Sequence, residues 1–168
     1  MPLIFQYGSN LDIERLNSHS RLQGQAKAVG TAQTRECYDW EFNIATQTGS
    51  AVSIADSSAS GRQIWGALYE IPEDRIFRHL GKGNHPTLDA IEGEGGNYRR
   101  GPIALLKADG SPILETVLTY YGHQIKGTLR AYEDYAQHIL LGAAAHQLPQ
   151  EYQHWIRVKI AEALRRPS

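Results

Sequence analysis

The sequence contains a single cysteine, Cys37, among 168 residues. An internal disulfide is therefore excluded, and so is a zinc site built on several thiolates. Charge of one sign is also missing, since the formal net charge is −1. No basic field exists to draw nucleic acid or an anionic membrane, so neither is an expected partner. No apolar run reaches the roughly 18 residues that a membrane helix needs. The first residues show no basic segment leading into an apolar one, so no signal peptide is expected. One thiol and no such signals give the cytoplasm as the expected location. Repeats, low-complexity tracts, a GxGxxG fingerprint and a Walker loop are all missing.

The histidines, seven in number, form no His-x-x-x-His or HExxH pair. His138, His146 and His154 drift around a helix, and Pro149 falls between the last two. No metal or other cofactor is expected. Cys37 has only Arg35 as a basic neighbour and reads as a half-buried thiol. Ser9 lacks the Gly-x-Ser-x-Gly frame of a nucleophile elbow.

What is present fits a soluble globular chain: 41% hydrophobic and 21% charged residues. Its length suits one domain, residues 1–168, with a real core. Ile4 to Leu11 reads as a strand, a tight Tyr7-Gly8-Ser9-Asn10 loop and a helix start. Gly8 suits positive φ and lets another group approach the backbone closely, and Ser9 and Asn10 suit a helix cap. Such a loop offers N–H groups to an anion. An ordinary strand-to-helix turn explains the same residues.

Gln25 to Thr34 is polar and small. Tyr38 to Ile44 alternates apolar and polar residues as a strand does, and Ala51 to Ala55 is a second short strand. Ile64 to Ile71 is apolar on both faces, which predicts a central buried strand, with Gly66 allowing a close approach. Pro72 opens a short helix. A further helical turn or short helix ends at Glu92, capped by Thr87 or by the residues before it, and Gly93-Glu94-Gly95-Gly96 breaks it. Strands are expected over Tyr98–Leu106 and Thr116–Tyr121, with an Asp109-Gly110 turn between them. Two helices close the chain, one carrying Tyr135 and Ile139, the next Tyr152, Trp155 and Ile160. Tyr132, Tyr152 and Trp155 suit either the core or a homodimer interface, and core is preferred. The order of elements is that of an α+β fold.

Glu92 is the acid singled out by the residues themselves. It ends an apolar turn and precedes a Gly-rich loop, so its carboxylate can face a cleft. Desolvation there would raise its pKa toward that of a general base. A surface Glu at a helix end is the competing reading. Glu94 is expected to be exposed, and Arg99-Arg100 to form a solvated strand edge.

Together these segments resemble the γ-glutamylcyclotransferase-like family. Phe5-Gln6-Tyr7-Gly8-Ser9-Asn10-Leu11 is similar to its YGSN loop. Ile64-Trp65-Gly66-Ala67-Leu68-Tyr69 resembles its central VWG strand. Leu88-Asp89-Ala90-Ile91-Glu92-Gly93 with Tyr98-Arg99-Arg100 resembles its L-D-x-x-E-G…Y-R-R segment. Tyr135 to Gly142 with Leu148-Pro149-Gln150-Glu151-Tyr152 resembles its C-terminal tail. That tail points to the cyclotransferase proper rather than to the glutathione-specific or γ-glutamylamine branches.

The resemblance implies a small mixed β-barrel with surrounding helices. It implies conversion of γ-glutamyl amino acids to 5-oxoproline plus the free amino acid, without a cofactor. Glu92 then matches the catalytic carboxylate, and Tyr7, Gly8, Ser9 and Asn10 the substrate loop. Tyr98 matches a tyrosine beside the acid, and Tyr135 a pocket tyrosine. Two alternatives stay open: cyclisation of γ-glutamylamines, and a non-enzymatic module that binds a small carboxylate. The chain departs from the family pattern at Gln6, where Ala or another small residue is usual, and in the loop from Gly93 to Asn97.

Overall fold

A computed structural model describes residues 2–168. In chain order it contains β1 (Leu3–Gln6), a 3-10 turn (Ser9–Leu11), α1 (Ile13–Leu16), β2 (Lys27–Thr34), β3 (Glu41–Thr46), β4 (Gly49–Ser53) and β5 (Trp65–Glu70). There follow α2 (Glu73–Ile76), a second 3-10 turn (Arg78–Leu80), α3 (Leu88–Glu92), β6 (Tyr98–Pro102), β7 (Leu105–Leu106) and β8 (Val117–Gly122). Two long helices end the chain, α4 (Glu133–Ala145) and α5 (Gln150–Leu164).

Six strands form one curled half-barrel sheet in the order β6-β8-β1-β5-β2-β7, while β3 and β4 form a separate hairpin. The sheet is mixed because β1 runs parallel to β8 and antiparallel to β5. The expected α+β fold, a small mixed barrel with surrounding helices, is thus what the chain adopts, its sheet curled into a half-barrel. The run from Trp65 supplies an interior strand, with Ala67, Leu68 and Tyr69 buried. Gly66 is there for space: a Cβ would stand 2.3 Å from the carbonyl oxygen of Gln6 and 2.7 Å from the Phe5 ring.

Some segments differ from their sequence-based reading. The polar stretch before Thr34 is a strand, β2, paired to β5 along its length. Its first residues face solvent, so no alternation marks it. The expected strand from Tyr98 to Leu106 is two strands. Pro102 brings no N–H, and the next amide, Ile103, bonds to Val117 O at 3.0 Å. Arg100 is not simply solvated. It pairs with the buried Asp89, and its guanidinium lies 4.6 Å from the Phe77 ring centre. Glu94 is half-buried, accepting from Arg100 N at 3.4 Å.

Of the three late aromatics, Tyr152 is core, at 1% exposure. Trp155 packs against it and against Trp40, with ring centres 5.5 and 5.8 Å apart. Tyr132 is 40% exposed and covers Gly49, so it leaves the core. Among the described residues, no helix is long and apolar enough to cross a membrane.

Candidate active site

The loop that leaves β1 crosses the mouth of the half-barrel and is held from several sides. The amides of Leu11 and Asp12 turn back onto the carbonyls of Gly8 and Ser9, at 3.0 and 3.2 Å. Tyr69 on β5 donates its hydroxyl to the carbonyls of Asn10 (3.0 Å) and Leu11 (3.2 Å). His146, at the end of α4, also reaches Leu11 O, at 2.9 Å. Those bonds leave the amides of Ser9 and Asn10 without an acceptor among the described residues.

Two details of the loop differ from expectation. Gly8 has φ −117°, so a left-handed backbone is not the reason for glycine. Space is: a Cβ would meet Val52 Cγ2 at 2.9 Å and Tyr135 Oη at 3.4 Å. Ser9 and Asn10 do not cap α1, because a 3-10 turn intervenes. Asp12 is the cap, its Oδ1 accepting from Glu14 N and Arg15 N at 3.1 and 3.4 Å. Its other oxygen meets His138 Nδ1 at 2.7 Å. Burial pushes the Asp12 carboxyl upward, but the His138 bond and the two amides outweigh it and hold it below the ordinary value.

Glu92 arrives from the opposite side, on the last turn of α3. Thr87 caps that helix through Ala90 N, and Gly93, with φ 70°, ends it. Asp89 fixes the helix to the sheet by accepting from Tyr120 Oη at 2.7 Å and from Arg100. The Glu92 carboxylate then accepts from Asn10 Nδ2, and Asn10 Oδ1 accepts from Arg21 Nη2 at 2.9 Å. Glu92 keeps some exposed surface, yet protein surrounds its carboxylate. Burial raises its pKa above the ordinary carboxylate value; the Arg21 and Arg15 charges and the Asn10 bond offset only part of that.

A cleft of about 20 Å³ free volume lies between the loop, which lines it with Gln6, Tyr7, Gly8, Ser9 and Asn10, and Glu92. Tyr98, Tyr120, Tyr135 and Val52 complete its lining. All seven site residues expected from the sequence therefore meet at one place. The free space is close to that of a single water.

The three expected tyrosines spend their hydroxyls on β4 and the residue after it. Tyr98 donates to Val52 O at 2.6 Å, Tyr135 accepts from Val52 N at 3.2 Å, and Tyr7 accepts from Ile54 N at 3.3 Å. Tyr7 also donates to Tyr120 O at 2.5 Å. Burial pushes all three phenols above their usual pKa, so they stand neutral at physiological pH.

Sequence reasoning missed Arg15 and Arg21. Neither sits in a motif, and both reach Glu92 only through the fold. It noted Gln6 as a departure and gave it no role. Gln6 is 6% exposed, and its Nε2 has no partner among the described residues.

Residues 63–156 match the model of the AIG2-like family. The chain belongs to the AIG2-like family. The matched stretch of this AIG2-like protein carries Glu92, Tyr98 and Tyr135; the Tyr7–Asn10 loop lies before it. A solved structure of a gamma-glutamyl cyclotransferase has the same fold, with TM-score 0.75 and 23% identity over 93% of this chain and 86% of that one. YkqA from Bacillus subtilis also gives TM-score 0.75, at 22% identity over 95% of this chain and 54% of its own. An AIG2-like protein from Mus musculus gives 0.51, at 17% identity over 80% and 82%. The resemblance to the γ-glutamylcyclotransferase-like family thus holds for family and fold. No curated protein matches the chain.

Proposed function

We propose that this chain is a cyclotransferase that converts γ-glutamyl amino acids to 5-oxoproline and the free amino acid, with residues 1–168 acting as one domain in the cytoplasm. The observation that carries the reading is a single one. A carboxylate with a raised pKa, Glu92, faces a cleft whose other lip is a loop with two unengaged amides.

The chemistry asks for those two things. The substrate's α-ammonium must lose a proton before its nitrogen can attack the γ-carbonyl carbon. Glu92 takes that proton. The nitrogen then closes a five-membered ring, and the carbonyl oxygen becomes an oxyanion. The amides of Ser9 and Asn10 are the donors available to it. The oxyanion collapses and the bond to the leaving nitrogen breaks as Glu92 returns the proton to that nitrogen; the ring nitrogen then gives its second proton to the freed Glu92 carboxylate, which passes it to the released amine. Attack is intramolecular, so holding the glutamyl tail bent contributes several kcal/mol, on the order of the effective-molarity effect. Tyr7, Tyr98 and Tyr135 form the wall that excludes water.

The test is 5-oxoproline release from a panel of γ-glutamyl amino acids and γ-glutamylamines. Glu92→Gln is expected to lower kcat by at least roughly 10²-fold. Full activity in that variant overturns Glu92 as the base. Turnover confined to γ-glutamylamines moves the substrate class, and tight binding without product makes the chain a binding module.

A further inference from the structure

The middle member of the Arg21–Asn10–Glu92 chain is an amide. An amide's two ends are alike in shape and opposite in hydrogen-bonding sense. With its N–H side toward Glu92, Asn10 favours the charged carboxylate. With its oxygen there, it would favour the protonated acid. Arginine only donates, so Arg21 can bond the oxygen of Asn10 and never its NH2 group. Arg21 Nη2 lies 2.9 Å from Asn10 Oδ1, and Asn10 Nδ2 is directed to Glu92.

We propose that Arg21 is a positioning residue: it locks the Asn10 amide with its donor toward Glu92 and so keeps Glu92 ready to accept a proton. The proposal rests on the reading of Glu92 as the base. Arg21 does not line the cleft, so it acts on Glu92 and not on the substrate. Its Nε is buried without a partner, which leaves Asn10 as its side-chain acceptor among the described residues.

Every charged or titratable group facing Glu92 bears on this argument. Tyr7 faces it from the loop after β1, Tyr98 from β6, Tyr120 from β8 and Tyr135 from α4. Burial keeps each of these phenols neutral. The charged neighbours are Arg21 and Arg15. Arg15, on α1, lies 6.0 Å from the Tyr135 ring centre and contributes charge without holding Asn10. Both arginines act on Glu92 by charge, Arg21 the more strongly, and Arg21 alone of the two also holds Asn10.

The experiment titrates the Glu92 carboxyl by carbon NMR on side-chain-labelled protein, with Glu92→Gln assigning the signal. Wild type is compared with Arg21→Gln, Arg21→Lys and Arg15→Gln, and kcat/KM is followed against pH. Arg21→Gln is expected to move the Glu92 midpoint upward. The rate on the acid limb then falls about tenfold, and raising the pH restores it. Arg21→Lys, which keeps a donor and a charge, is expected to recover most of the effect and serves if the glutamine variant does not fold. Arg15→Gln is expected to shift the midpoint less. An unmoved midpoint in folded Arg21 variants overturns the proposal, as does an equal shift in Arg15→Gln. A shifted midpoint in a protein that releases no 5-oxoproline leaves Arg21 as proposed and removes the cyclotransferase reading instead.

Discussion

Asn10 donates its side-chain amide to Glu92, 82 residues further along the chain. Neither partner is free to choose that contact. Asn10 sits on a turn whose carbonyls are held by Tyr69 and His146. Glu92 sits on a helix that Asp89 ties to Tyr120 on β8 and Arg100 on β6. The bond is set by two anchored elements that approach across the mouth of the sheet. Such preorganisation is what a site for proton transfer requires.

The raised pKa of Glu92 makes a prediction about stability that needs no substrate. In the unfolded chain the carboxyl ionises at the ordinary glutamate value; in the folded chain it ionises higher, because of burial. Between the two values the folded state binds more protons. Stability from this group is thus fully present below the unfolded pKa and is lost as pH rises through the folded one. Glu92→Gln is expected to unfold at higher urea than wild type at pH 7, with the difference vanishing near pH 4. A variant less stable at both pH values contradicts this.

Tyr69 links β5 to the loop. Tyr69→Phe removes the donor to the Asn10 and Leu11 carbonyls while keeping the ring in the core. A loss of about 1–2 kcal/mol is expected from urea unfolding, the cost of buried carbonyls left with fewer partners. The loop that presents Asn10 should also loosen, so kcat falls although no cleft side chain has changed. Unchanged unfolding and unchanged kcat together would show that His146 alone suffices to hold the loop.

Much of this was legible in the sequence. The Trp65–Glu70 strand announced itself by being apolar on both faces, and α3 by its Thr87 cap and terminal Gly93. Glu92 was singled out because it stands between an apolar turn and a glycine loop, although a surface Glu at a helix end fits the same residues. Strand β2 was hidden because its first half faces solvent, and only Ala32 and Thr34 near its end alternate into the core. Arg21 was hidden for another reason. It lies in an irregular stretch after α1, and its partners, Asn10 and Glu92, meet only when the sheet closes. Gly8 was legible as special on two grounds, positive φ and a close approach to the backbone, and only the second applies, through Val52 and Tyr135.

Gln6 is a buried amide with an unpartnered nitrogen on the cleft wall. Such a group costs about 1–3 kcal/mol, whereas a leucine of similar volume has nothing to leave unpaired. Gln6→Leu is expected to raise stability by about 1 kcal/mol in thermal unfolding. Because the amide lines the cleft, kcat/KM should fall in the same variant, the pattern of a residue retained for binding at the expense of stability. A drop in stability would mean that the amide is already satisfied.

Gly142 gives the sharpest structural test. It lies where α4 crosses the turn after β1, and a Cβ there would stand 2.3 Å from Leu11 C and 2.5 Å from Asp12 N. Both are backbone atoms, so neither can rotate away. Either the helix or the loop must move. Helix propensity alone would make Gly142→Ala more stable by about 1 kcal/mol. Overpacking of this kind costs about 1–3 kcal/mol and wins here because the obstacle is main chain. Net destabilisation is therefore expected in urea unfolding, while Ala144→Gly, on the exposed side of the same helix, loses only about 1 kcal/mol through propensity. Movement of α4 would also draw Tyr135 away from Val52 N and disturb the turn that holds Asn10. Gly142→Ala should then lose turnover well beyond its loss of stability. A variant as stable as wild type and fully active would show that α4 and the loop are not in contact at this point, and with that the close approach that sets Asn10 against Glu92 would lose its support.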